Sequence, residues 1–232
     1  MKRTFATTVI GWFFCLAGLM MWLGWMIMPV HIGVYFEPAD FAAIHEHFHL
    51  WIWMYRVHLF GYVVAGMAVV ALAAVSTEPD VKALMFPGAA VAMAGLIVGA
   101  LGAAFYYHHG AWGAIELSRQ SFQGAAERIA ALRLDTEYVT CLLRFARVFF
   151  GLGLVVLAAG LLRWGILPTV IAGTAALLGI AGMALTMALP DEMTWYVPLF
   201  HMNCLWLLTT GLTVLRRASG LEQGGLKRST QH

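Results

Sequence analysis

Charge is scarce in this chain. Lys, Arg, Asp and Glu supply only 11% of the 232 residues, while 61% are hydrophobic; a soluble domain carries about 25% charged residues. A soluble core of this length could not bury so much apolar surface, so the apolar groups must face lipid. A net charge of +2 is too small to suggest nucleic acid as a partner. Cysteine is also rare. Cys15, Cys141 and Cys204 all lie in apolar stretches, which excludes a disulfide framework and a CxxC zinc site. No glycine-rich phosphate loop and no Ser-His-Asp order is present. The glycines of "GLIVGALG" (95–102) read as close-packing positions between helices.

What is present is a series of long apolar runs. A bilayer core takes roughly 20 apolar residues per helix, and six segments qualify: 5–29, 50–75, 84–107, 138–162, 166–189 and 195–215. The first follows Lys2-Arg3, exceeds a signal-peptide core and lacks a small-x-small cleavage site, so it reads as a retained helix. The expected fold is an all-α polytopic bundle of six transmembrane helices. Residues 1–216 form one domain and 217–232 a polar tail. A cytoplasmic N-terminus places Lys2, Arg3, Lys82, Arg163, Arg216, Arg217, Lys227 and Arg228 inside, against Arg119, Arg128 and Arg133 outside. Both termini are then cytoplasmic, in a multi-pass protein of a bacterial-type inner membrane. In 114–134, Ile115, Phe122, Ile129 and Leu132 alternate with charged residues, which predicts an amphipathic helix on the outer membrane surface.

Eight of the nine histidines map to the outer side, with only His232 inside. "HEHFH" (45–49) can present His45, His47 and His49 together on an extended segment, or His45 and His49 on a helix. Either arrangement suits a transition metal such as copper, and a hydrated, pH-sensitive loop is the other reading. His58 and His201 fall at similar depth within the second and sixth spans, as two axial ligands of a haem b would. Gly61 and Ala65 share the His58 face. Cys204 and Leu208 share that of His201. His109, beside His108, is an alternative ligand, a relay or an interfacial residue.

Arg56, Arg144 and Arg147 lie inside apolar spans that hold no carboxylate. A buried charge needs a partner. The candidates are Asp191, Glu192 or Glu116 dipping in, lipid phosphates, a second subunit, or haem propionates. Arg144 and Arg147 share a face with Thr140 and Gly151. Arg147, the deeper of the two, is the one expected to meet a propionate or a quinone. The thirteen methionines read as core and lipid-facing filler rather than copper(I) ligands.

The segments "FEPADF" and "WIWMYRVHLFGYV" within 36–63, and "MALPDEMTWYVPLFH" (187–201), resemble the C subunit of copper membrane monooxygenases of the ammonia and methane monooxygenase type. That likeness implies a membrane subunit of a copper enzyme. The family's Asp-x3-His-x12-His copper pattern is absent from the comparable stretch "HHGAWGAIELSRQ" (108–120), so no catalytic role carries over. "VHLFGYV" (57–63) is also similar to the His-Leu-x-x-Gly haem-ligand stretches of haem–copper oxidase-like helices.

These readings point to a membrane redox subunit. It would bind haem b, or alternatively copper, in the outer half of the bundle. His58 and His201 would be axial ligands, His109 the reserve, and Arg147 the anion contact. Its partners would be the lipid bilayer, a membrane or periplasmic redox subunit, and quinone. The rival is a non-catalytic transporter or assembly protein.

Overall fold

A computed structural model describes residues 2–117, 122–190 and 193–229. Among the described residues there are seven α-helices and no strand: α1 (Lys2–Met26), α2 (Pro38–Glu46), α3 (Phe48–Ala74), α4 (Pro79–Leu117), α5 (Phe122–Trp164), α6 (Thr169–Ala188) and α7 (Met193–Ser229). All except α2 are long and apolar enough to cross a membrane. Lipid can satisfy no backbone N–H or C=O, so a spanning segment must close its own hydrogen bonds, and the helix does so. Six crossings bring both termini to one face. The opposite face is called outer below.

The six long helices form a ring. α1 packs on α3, α3 on α4, α4 on α5 and α5 on α6, while α7 returns to pack on α1 and touches α6 more lightly. Small residues set the seams. A Cβ on Gly95 of α4 would sit 2.5 Å from the Phe150 backbone nitrogen of α5, so the close-packing role expected of that glycine is what the structure shows. One core fills the ring, around Phe14, Leu72, Met85, Leu154 and Leu207. A second core lies toward the outer side, where Met28, Ile32, Phe36, Phe41, Ile44, Trp51 and Tyr106 pack together.

The outer side departs from expectation in two ways. α4 has 39 residues and α5 has 43; at about 1.5 Å per residue each is roughly twice as long as a 30 Å hydrocarbon core is thick. The separate surface helix expected over 114–134 does not form. Residues through Leu117 continue α4, and those from Phe122 begin α5. Arg128 pairs with Glu116 across this antiparallel extension. The apolar stripe read from the sequence is real, but Ile129 and Leu132 turn it toward protein. An amphipathic pattern does not tell a protein partner from a lipid one.

The second departure is α2, inside a stretch read as a polar connection. Pro38 starts it, with its φ already suited to a first turn, and the Glu37 N–H donates to Asp40 Oδ2 at 2.8 Å. At the inner end α7 continues to Ser229, past the expected end near Arg216.

Candidate functional site

The outer half of the ring holds a partly open cavity of about 240 Å³. α1, α3, α4, α5, α7 and the outer segment 28–34 contribute to its wall, and α6 does not. Most of the lining is apolar. Gly95, Gly99 and Ala103 of α4 are part of the wall, and Trp25, Phe150 and Phe200 supply aromatic rings.

His58 is the buried polar anchor of the wall. It lies where α3 crosses α1 so closely that a Cβ on Gly24 would come within 2.8 Å of the His58 backbone nitrogen. Its Nδ1 lies 3.1 Å from the Met21 carbonyl oxygen. A carbonyl only accepts, so Nδ1 carries the proton and donates. In the neutral ring Nε2 is then left with its lone pair, the tautomer suited to binding a metal or accepting a proton. The Tyr62 ring stands edge-on to His58 at 5.1 Å.

A second polar group comes from α5 and α7. The Arg147 guanidinium sits 3.7 Å over the Tyr196 ring, and both residues line the cavity. Three buried oxygens of the same wall have no hydrogen-bond partner among the described residues: Thr140 Oγ1, Tyr196 Oη and Asn203 Oδ1. Tyr196 is only 6% exposed, so water does not readily satisfy its hydroxyl. A buried polar atom without a partner costs about 1–3 kcal/mol. Three in one wall, beside a guanidinium, form a set of groups that a polar ligand atom could satisfy together.

His201 belongs elsewhere. It accepts a hydrogen bond at Nδ1 from Trp22 Nε1, at 3.0 Å, and does not line the cavity. Nδ1 must hold the lone pair there, so in the neutral ring the proton is on Nε2. Neither nitrogen can bind iron while that arrangement stands. α7 turns Tyr196, Phe200, Asn203 and Leu207 toward the cavity, and Leu208 toward α1 at Gly18, where the Cys204 backbone carbonyl also lies. The expected His58–His201 pair therefore does not face a common space.

His31 stacks on Trp25 at 4.7 Å, on the ring whose centroid is 6.1 Å from His58. Burial pushes the His31 pKa down, and the charge of His201 adds to the shift. His109 packs against Phe105 and His108 outside the cavity, with Nδ1 buried and unpartnered. His45, His47 and His49 are exposed at the α2–α3 junction. Among the described residues no three His, Cys, Asp or Glu side chains gather as a metal site.

Of the arginines, Arg147 faces the cavity together with Thr140. Arg144 donates to the Thr186 and Leu189 carbonyls at 3.2 and 3.1 Å, so it caps the C-terminal end of α6. Gly151 packs against Gly179 of α6. The face read as shared by these residues is thus divided between the cavity and α6. Arg56 donates to Tyr107 and lies over Trp53. Asp191 and Glu192 lie outside the described residues, and Glu116 serves Arg128.

Compared with known proteins, the chain matches no family model, no curated protein and no solved structure. What the site can do is therefore argued from its own atoms. His58 and Arg147, singled out in the sequence, both line the cavity. Tyr196 and Asn203 were not singled out, although a lone Asn in an apolar span was a readable signal. Gly61, on the His58 face, lets α3 approach Met21 of α1.

Proposed function

We propose that this chain is an integral membrane redox subunit whose working site is the outer-half cavity. In this reading it passes electrons between a partner on the outer side and the quinone pool or a neighbouring subunit. One observation carries the reading: a buried imidazole, fixed by Met21, leaves Nε2 available in an apolar cavity that also holds a guanidinium. Ionisable groups inside a membrane are costly and mark functional sites.

The redox group is either bound iron or an organic carrier. A haem b would take His58 as one ligand and Arg147 as a propionate contact. It would supply one-electron chemistry. Its second imidazole is not in the wall, because His201 would first have to release Trp22. Copper would rely instead on His45, His47 and His49, as a monooxygenase-like subunit of different geometry.

The deciding experiment is a reduced-minus-oxidised visible spectrum of the detergent-purified protein, with iron, copper and extractable quinone measured on the same sample. A Soret shift with about one iron per chain selects haem. Copper without a Soret band selects the copper reading. Quinone without metal selects an organic carrier. A sample lacking all three sinks the redox reading and leaves a transporter or assembly protein.

A further inference from the structure

We infer that the cavity binds a para-hydroquinone, a flat ring with an oxygen at each end and an apolar tail, and holds the reduced form more tightly than the oxidised one. This rests on the redox reading above and names the carrier it would use.

His58 is on α3, Thr140 and Arg147 are on α5, and Tyr196 and Asn203 are on α7. α3 and α5 do not pack on each other, because α4 stands between them in the ring. The wall also holds the hydroxyls of Tyr55 and Tyr62 on α3 and of Tyr106 on α4, the last donating to the Val34 carbonyl, so its polar groups come from four helices. A ligand that meets His58 on α3 and also Arg147 and the unpartnered oxygens on α5 and α7 needs more than one hydrogen-bonding atom on an apolar body.

The two ends differ in kind. At the α3 end the free nitrogen is the lone-pair Nε2 of His58, because Nδ1 donates to Met21. It asks for a donor, which a hydroquinone hydroxyl is and a quinone carbonyl is not. At the α5–α7 end Arg147 donates, while the Thr140 and Tyr196 hydroxyls can donate or accept. These suit either oxidation state of a ring oxygen. Among the described residues no carboxylate lines the cavity, and Leu96, Phe150, Leu199 and Leu207 provide an apolar course for the tail. A fatty acid would satisfy the α5–α7 end and leave the His58 lone pair facing its alkyl chain. That mismatch favours the hydroquinone.

The test uses the full chain in detergent, with decylubiquinol, decylubiquinone and oleate as probes. Binding is read by the change in tryptophan fluorescence, since Trp25 is in the wall. Decylubiquinol should bind saturably at about one per chain and several-fold more tightly than decylubiquinone. Tyr196→Phe and Thr140→Val each remove a hydroxyl that has no partner in the structure. They should weaken decylubiquinol binding about 3- to 10-fold while the melting temperature of the ligand-free protein holds or rises. His58→Asn should erase the preference for the reduced probe. Because His58 is tightly packed, that variant is read only if its melting curve remains cooperative; the two hydroxyl variants carry the test otherwise.

No saturable decylubiquinol binding overturns the inference. So does binding that ignores both hydroxyl variants, or oleate binding more tightly than decylubiquinol with the same dependence on them. A haem spectrum without decylubiquinol binding sinks this inference and leaves the redox reading standing. Decylubiquinol binding without electron transfer to any outer-side acceptor keeps the inference and sinks that reading.

Discussion

Two histidines at similar positions along their spans have opposite tautomers because their Nδ1 atoms meet opposite partners. His58 meets a carbonyl and must donate; His201 meets an indole N–H and must accept. This difference separates a ligand-facing imidazole from a structural one. His58→Ala should abolish retention of whatever the purified protein carries. His201→Gln should leave that content unchanged and lower stability by about 1 kcal/mol, through loss of the Trp22 bond. Spectra, extracts and melting curves of the two variants check this. Loss of bound ligand in His201→Gln with an unchanged melt would revive the paired-imidazole arrangement.

Helix seams locate the site as firmly as any side chain. Gly24 allows α1 to come against α3 at His58. A valine there forces the helices apart, and overpacking of this kind costs about 1–3 kcal/mol. Gly24→Val should therefore lower the melting temperature and ligand binding together. Gly173 of α6 meets nothing within 4 Å of an added Cβ. Gly173→Ala should raise stability by about 0.5–1 kcal/mol, since glycine in a helix interior is entropically costly. The α6 terminus depends on Arg144. Arg144→Gln should cost about 1–3 kcal/mol, because it withdraws both donors from the Thr186 and Leu189 carbonyls. A melt unchanged from the parent protein would show that lipid or water replaces them.

For the molecule as a whole, pH acts through the outer segment. His31 has its pKa lowered by burial, with His201 adding to the effect. Between the unfolded value of about 6.5 and the lower folded value, the unfolded chain binds a proton that the folded chain does not. His31 thus contributes stability that is fully present above about pH 6.5 and is lost as pH falls through the folded value. Melting temperatures in detergent should fall between pH 7 and pH 5, and His31→Gln should flatten that slope. An unchanged slope in the variant assigns the dependence to other groups.

The six spans, the close-packing glycine at 95 and the outward bias of the histidines were legible in the sequence. Hydropathy and residue counts act locally, and a bilayer imposes the same length on every crossing. His58 and Arg147 were legible as well, because an ionisable side chain in an apolar run stands out against its neighbours. Helix rotation was not legible. One residue on a helix is about 100° of turn, so Phe200 and Asn203 face the cavity while His201 faces Trp22 of α1. The division of Arg147 from Arg144, and the extension of α4 and α5 beyond the bilayer, were settled by packing against neighbouring helices. The sequence by itself determined that this chain crosses a membrane six times and carries polar chemistry in its outer half. Only the tertiary structure decided which of those polar groups meet, because that depends on the angle at which each helix presents its face to the others.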